Sequence, residues 1–375
     1  MTKTIYIMKK YHSISVVVCT RNRFGHLKKC VMSLLNQTLL SKEIIIVDDA
    51  SKKAFSIYDI FDKNSGLPKL DGNIDIILIQ NKGVSGVVAS RNTGVNASSS
   101  DIIAFIDDDG FAHKDWLRQL VKNYKNDNIL GVGGPVIEIG RKMKTPTFPV
   151  KNIAYIRNGK IISKQRIKKM KEKKYLPRKF VLFLQGGNMS FRKHALVHVK
   201  GGDINFTGNC YREETDLSMR VSRHGKLLFE PSAIAYHDTA KKGGFRDVIK
   251  FDINKFLYYM FRNTTYLFFK HFSFRKAFVF TTKSVKSQLK LLKYNKTGLT
   301  RDYFTIKSKN KAIGSIVIGV VSGFYNWFKL RKSEPCFFHS DPVSLACFRL
   351  TIAGGIIKLA ELEEKTHLVK KIFGV

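Results

Sequence analysis

Three consecutive carboxylates, Asp107, Asp108 and Asp109, close the apolar run Ile102 to Ile106. A β-branched apolar run of that length reads as a buried strand. Carboxylates at its carboxyl end offer the oxygen ligands that a hard divalent cation takes, and such an ion most often accompanies a phosphate. The same residue type also caps helices and builds turns, a reading that applies most strongly to Asp108. Asp109 is the primary candidate for a metal ligand. A second acidic cluster, Glu213, Glu214 and Asp216, follows a hundred residues on. Asp216 and Arg220 stand four apart, the spacing of an ion pair on one helix face.

These groups need a scaffold that brings them together. Ile14 to Val18 is a β-branched run, Leu27, Cys30, Val31, Leu34 and Leu35 follow at helical spacing, and Ile44 to Val47 is a second apolar run, which together read as a βαβ unit. Ile74 to Ile79 and Ile102 to Ile106 repeat the strand pattern, with a helical segment around Val84 to Ala97 between them, predicting an α/β fold with a mostly parallel sheet. Ligands of such sheets sit at the carboxyl ends of the strands. Thr20, Arg21 and Asn22, then Asp48 and Asp49, then the aspartate triplet all fall there. Gly186 and Gly187 lack side chains and let another group approach the backbone. A helix is expected from Glu214 through Val221, ended by Gly225 as a C-cap glycine.

With 375 residues the chain can bury a large core and carry an appendage, and a net charge of +37 draws anionic partners: nucleic acid, an anionic membrane leaflet or phosphorylated substrates. Five cysteines without a Cys-x-x-Cys spacing suggest neither a disulfide framework nor a zinc ribbon. Met1 to His12 has no apolar run of signal-peptide length, so a cytoplasmic location is expected. From Arg157 to Lys179, eleven basic residues face one acid, Glu172, and predict an exposed loop.

The ordered segments Val17 to Arg23, Ile46 to Ser51, Ser90 to Gly94 and Asp107 to Asp109 resemble a family 2 glycosyltransferase of GT-A fold, a Rossmann-like architecture. Gly186 to Arg192, Glu213 to Leu217 with Arg220, then Pro231 and His237, are similar to the acceptor-side motifs of that family. The resemblance covers roughly Ser13 to Gly244. It implies an inverting, metal-dependent enzyme that uses Mg²⁺ or Mn²⁺ to move a sugar from a nucleotide-sugar donor, UDP-linked by expectation, to a glycan or lipid-linked acceptor. In that frame Asp109, Asp107 and His237 hold the metal. Thr20, Arg21, Asn22, Asp49, Ser51, Arg91, Asp107 and Asp108 line the donor pocket, with Asp49 accepting a hydrogen bond from the base. Arg91 braces the carboxylates or the diphosphate with its planar fork. Glu214 is the candidate general base and Glu213 its alternative, and Gly187, Asn188 and Asp216 lie on the acceptor side. The sequence departs from the family at Gly201-Gly202-Asp203, where many relatives have phenylalanine after the glycines.

Domain boundaries are expected at 13–245 for the catalytic unit, 246–335 for a basic, aromatic-rich helical region, and 336–375 for a helical tail opened by Asp341-Pro342. Between Lys250 and Glu334 stand eighteen Lys or Arg and three acids. Lys255, Arg262 and Lys270 recur about every two turns as a basic stripe on an apolar surface, suited either to packing on the catalytic unit or to peripheral contact with the inner face of an anionic membrane. Ala312 to Phe328 is at the short limit of the ~17–25 residues of a spanning helix and reads as buried or interfacial. A nucleic-acid-binding protein and a non-catalytic membrane scaffold are the rival readings. No nucleic-acid module is found, and the acidic clusters disfavour a nucleic-acid partner.

Overall fold

The computed structural model describes residues 13–60, 73–81, 86–139, 148–150, 155–157, 160–162, 165–167, 179–240, 242–244, 247, 252–293, 306–331, 347–353 and 356–360. The first half runs β1 (Ile14–Thr20), α1 (Phe24–Leu35), β2 (Glu43–Asp48), α2 (Ile57–Ile60), β3 (Ile74–Gln80), α3 (Val87–Ala97), β4 (Ile102–Asp107), β5 (Gly110–Ala112), α4 (Trp116–Val121), β6 (Ile129–Gly133) and β7 (Val136–Glu138). Four short strands follow, β8 (Phe148–Val150), β9 (Tyr155–Arg157), β10 (Lys160–Ile162) and β11 (Gln165–Ile167). They fall in or beside the basic stretch expected as a loop, whose remaining residues lie outside the described ones. Then come β12 (Lys179–Val181), β13 (Met189–Arg192), α5 (Lys193–His198), α6 (Glu213–Val221), β14 (Lys226–Phe229) and β15 (Ala235–His237).

The main sheet has the order β12-β14-β6-β13-β4-β1-β2-β3, extended by two strands from the chain's last segment. β4, β1, β2 and β3 are parallel neighbours, as the βαβ pattern predicts, while β13 enters antiparallel between β4 and β6. Strand alternation sends side chains to two faces. Val16, Val18, Ile44 and Ile46 pack beneath α1 through Leu27, Val31 and Leu34. Val17, Ile45, Val47 and Phe105 face the other way, onto Val95 of α3 and Leu217 and Val221 of α6. Gly94 permits the close approach of α3, because a Cβ there would stand 2.4 Å from Cγ1 of Val17.

Beyond this body are α7 (Ile253–His271), α8 (Phe274–Lys293) and α9 (Lys309–Leu330). Of the stripe expected on α7, Arg262 and Lys270 face inward, whereas Lys255 is exposed. Arg262 is buried and donates to the Asn205 carbonyl at 2.7 Å, and Lys270 Nζ lies 2.6 Å from Asp203 and 2.8 Å from Asp216. Of the two roles open to that stripe, packing on the catalytic body is the one found, because the carboxylates Asp203 and Asp216 lie beneath it.

The helical tail expected over 336–375 is corrected by a hairpin. β16 (Cys347–Ala353) and β17 (Ile356–Ala360) pair with each other, and β16 adds antiparallel to β3. Phe348, Leu350 and Ile352 alternate with Arg349 and Thr351, a period of two that suits a strand and not a helix. Asp341-Pro342 lies outside the described residues. Gly225 is no C-cap either: α6 ends at Val221 with Ser222 following. The missing side chain at Gly225 makes room for Leu130, 2.6 Å from where its Cβ would be.

Candidate active site

Parallel register aligns the carboxyl ends of the central strands. Thr20 stands opposite Asp48 and Cys19 opposite Asp107, so Thr20 of β1 and the acids of β2 and β4 come to one edge. The Asp49 and Asn81 amides continue the ladder by donating to the Thr20 and Asp48 carbonyls, both at 2.8 Å. Asn22 and Ala50 take positive φ at the turns that follow β1 and β2. Ser51 locks the two turns together, donating from its hydroxyl to Asp48 at 2.5 Å and accepting from the Asn22 amide at 2.8 Å.

The triplet separates into three environments. Asp107 keeps 36% of its side chain exposed and meets Nη2 of Arg91 at 3.2 Å. Asp108 is buried, accepting from the Thr20 hydroxyl and from Nη1 of Arg23, both at 2.8 Å. Asp109 is also buried. It accepts from the Ala240 amide at 3.0 Å, lies 3.2 Å from Nη1 of Arg23, and meets Nε2 of His237 at 2.9 Å. His237 arrives because β15 pairs antiparallel with β5, setting it opposite Gly110. Burial pushes Asp108 upward, with Arg23 opposing. Burial acts the same way on Asp109, yet the hydrogen bond and charge of His237, together with Arg23, hold it well below the usual carboxylate range. Ligand atoms of Asp107, Asp109 and His237 all lie within 4.8 Å of one another. Two carboxylates and an imidazole at that spacing could hold a divalent cation.

Across the crevice, Glu213 and Glu214 open α6, and Arg91 of α3 reaches both sides. Its Nη1 is in contact with Glu213, while Nη2 holds Asp107 and the Gly186 carbonyl at 3.2 Å. Gly186 and Gly187 are bare for this reason: a Cβ would stand 3.1 Å from Arg91 Nη2 at the first and 2.9 Å from Asp107 Oδ2 at the second. The close approach expected there is made by the protein's own side chains. Burial raises Glu213, opposed by Arg91 in contact, and burial also raises Glu214, opposed by Arg212. Glu214 is half-buried, and its carboxylate has no side-chain hydrogen-bond partner among the described residues.

Other expected site residues are tied into hydrogen bonds of the protein itself. Asp49 is buried and accepts from the Gly86 amide at 2.9 Å and from the Ser90 hydroxyl at 3.2 Å, with Arg21 at 3.3 Å, so it anchors the start of α3. Asn188, expected on the acceptor side, is fully buried. Its amide donates to the Pro135 and Ala233 carbonyls at 2.9 and 2.8 Å, and its oxygen accepts from the Trp116 indole at 2.8 Å. Asp216 is fully buried as well, bound by Arg220, Lys270 and His271 at 2.8 Å each. Both are internal because each has a complete set of protein partners.

Arg23 is a further member of the site, beyond the residues expected from the sequence. Besides Asp108 and Asp109 it donates from Nε to the Lys242 carbonyl at 3.1 Å and from Nη2 to the Gly243 carbonyl at 3.2 Å, tying the segment after His237 to the aspartates. Asp247 joins it, accepting from the Asn22 amide group at 2.8 Å. A signal existed in the sequence, since three adjacent acids that fold beside a buried edge require a cation and Arg23 stands just past β1.

Residues 15–199 match the family model described as Glycosyl transferase family 2. Over 141 residues the chain is 34% identical to the glucosyl-dolichyl phosphate glucuronosyltransferase of Haloferax volcanii, covering 36% of this chain and 42% of that protein. It is 32% identical over 152 residues to the poly(ribitol-phosphate) beta-N-acetylglucosaminyltransferase TarP of Staphylococcus aureus, covering 39% and 43%. The aligned part therefore spans less than half the length of either relative. Among solved structures, GalNAc-T7 with UDP, GalNAc and Mn²⁺ is similar at 16% identity and a TM-score of 0.48, over 68% of this chain and 51% of the other.

Proposed function

Because residues 15–199 carry a family 2 glycosyltransferase domain, we propose that the chain moves a sugar from a nucleotide-diphosphate donor, UDP-linked by preference, to a hydroxyl of a glycan or lipid-linked acceptor. The observation that carries this reading is the convergence of Asp107, Asp109 and His237 opposite Glu213 and Glu214, across a gap bridged by Arg91.

In this reading Asp107, Asp109 and His237 would hold a divalent ion. Such an ion, when bound, supplies Lewis-acid stabilisation to a departing diphosphate. The chain's own residues do the rest. His237 and Arg23 keep Asp109 ionised and aimed, and Arg23, paired with both Asp108 and Asp109, offsets negative charge that would otherwise repel the phosphates. Arg91 fixes Asp107 and Glu213 relative to each other through its fork. Glu214, raised by burial and without a side-chain hydrogen-bond partner among the described residues, is the group suited to take the acceptor's proton, an effect worth typically ~10²–10⁴-fold. Glu213, neutralised by Arg91, positions the start of α6.

The test is a thermal-stability and donor-hydrolysis screen across UDP-, GDP- and dTDP-sugars with and without Mn²⁺. A ligand that binds only the folded state raises the midpoint by mass action. A Mn²⁺-dependent rise with UDP, not reproduced by single-stranded DNA, is expected. No rise with any nucleotide would overturn the reading.

A further inference from the structure

Helix α9 carries two apolar faces, and among the described residues only one of them is covered. Ala312, Ile316, Gly319 and Gly323 are buried and form the inner stripe. The glycines lie directly on the backbone of α7: a Cβ would stand 2.5 Å from the Tyr258 carbonyl at Gly319 and 2.2 Å from the Arg262 carbonyl at Gly323. On the opposite side Ile313, Val317, Val321, Tyr325 and Phe328 recur every three or four residues, with Val321 63% and Tyr325 64% exposed. That spacing is one continuous helical stripe. The neighbouring α8 adds Phe274 and Phe278, 58% and 60% exposed.

The formal charge carried by α8 and α9 is of one sign. Neither α8 nor α9 contains an acid, and α8 carries six Lys or Arg. Lys309 and Lys311 flank one end of α9, and Lys329 and Arg331 the other. The Arg331 guanidinium lies 3.8 Å from the centre of the Phe328 ring, so cation and apolar body share one place. Tyr325 adds the amphipathic aromatic type that gathers at membrane–water boundaries.

We propose that the outer face of α9, with Phe274 and Phe278 of α8, lies in the plane of an anionic lipid bilayer at the headgroup–acyl boundary. The apolar stripe enters the boundary and the flanking lysines meet lipid phosphates. Spanning is disfavoured by the glycine stripe, which is occupied by α7. Helix α7 is in turn fastened to the catalytic body by Lys270 through Asp203 and Asp216. A basic rim excludes a basic partner and matches the negative charge of such a surface. This inference does not depend on the transferase reading.

The experiment is co-sedimentation of the full chain with neutral phosphatidylcholine vesicles and with vesicles containing phosphatidylglycerol, at low and high salt. Three proteins are compared: the wild type, the double variant Val317→Asp with Val321→Asp, and Val197→Asp, which changes an exposed apolar residue of α5. The wild type should pellet with anionic vesicles at low salt and less at high salt, since screening shortens the reach of surface charge. The double variant should lose binding by about tenfold or more, because carboxylates are costly at the acyl boundary. Its thermal midpoint and its response to UDP with Mn²⁺ should be unchanged, and Val197→Asp should bind like the wild type. Absence of anionic-lipid pelleting, or a double variant that binds as well as the wild type, overturns the proposal. So does a lipid-independent dimer that the double variant dissolves in sedimentation velocity, which would make the face a contact between copies.

Discussion

Asp107 and Glu213 share one guanidinium: Arg91 touches both, one from each tip of its fork. The residue is buried, and burial, which disfavours its charge, is outweighed by Glu213 and Asp107, so it stays protonated. A lysine in its place keeps the charge and loses the fork. Arg91→Lys is expected to lower donor turnover by at least ~10-fold, since charge-assisted hydrogen bonds are worth roughly 1.5–3 kcal/mol each. Steady-state kinetics with a parallel thermal melt check this, and an unchanged kcat/KM at normal stability would show that the link is dispensable.

Asp109→Asn should abolish Mn²⁺-dependent stabilisation by UDP while retaining a folded protein. The amide matches the carboxylate in size but leaves Arg23 and His237 facing a neutral group, so the thermal midpoint should drop by a few degrees, corresponding to ~1–3 kcal/mol. A midpoint that still rises with Mn²⁺ and UDP as in the wild type would remove Asp109 from the metal site.

Glu214→Gln should keep UDP affinity and lose sugar transfer by about 10²-fold or more. Glu213→Gln, which breaks the Arg91 contact, should instead lower stability and turnover together. The two variants are separated by nucleotide titration, transfer assay and melting. If Glu213→Gln alone is inactive while melting normally, the base is Glu213.

Acid should loosen the seam between α7 and the catalytic body. Burial lowers His271, outweighing the upward pull of Asp216, and the ring accepts from Arg223 at 3.1 Å while donating to Asp216 at 2.8 Å, which suits the neutral form. Its folded value lies below its unfolded one, ~6.5. As pH falls below that, the unfolded chain gains a proton that the folded chain resists, and stability declines. Asp216 has the complementary sign: burial raises it, but Arg220, Lys270 and His271 hold it well below the usual range. Its contribution is present above ~3.9 and is lost as pH drops toward its folded value. Melting curves between neutral and acid pH should therefore fall steadily, and His271→Gln should flatten the fall just below ~6.5. Identical slopes in both proteins would count against His271.

Gly323→Ala is expected to destabilise by ~1–3 kcal/mol, since the new methyl meets the Arg262 carbonyl, a backbone atom with little freedom to move. Denaturant melts measure it. Gly314→Ala is the control, because nothing lies within 4 Å of a Cβ there. It should be neutral or slightly stabilising, as alanine favours helix over glycine.

The parallel core was legible because Val16 to Val18, Ile44 to Val47 and Ile102 to Ile106 are apolar at every position, which only a strand covered on both faces requires. The convergence of Thr20, Asp49 and Asp107 followed from that topology alone. What stayed hidden was pairwise. Asn188 and Asp216 are polar residues in motifs that read as ligand-facing, and only the positions of Trp116 and Lys270 reveal them as internal. The α7 stripe of Lys255, Arg262 and Lys270 reads from one helix as suited either to packing or to a membrane surface. Arg262 and Lys270 turn inward to the Asn205 carbonyl and to Asp203 and Asp216, distant in the chain, while Lys255 stays exposed. The hairpin β16–β17 is hard to read because Asp341-Pro342 signals a helix start more loudly than Phe348, Leu350 and Ile352 signal a strand.

The pairing of β16 with β3 also orders events in time. Ile74–Gln80 is made well before its outer neighbour, Cys347–Ala353, which follows more than 260 residues later. At ribosomal rates of ~5–20 residues per second, the outer edge of β3 waits on the order of tens of seconds for its partner. Throughout that interval a run of isoleucines with unpaired amides and carbonyls is open to any passing strand. The nascent chain is most exposed to aggregation there, and a chain shortened before Cys347 would keep that exposure permanently.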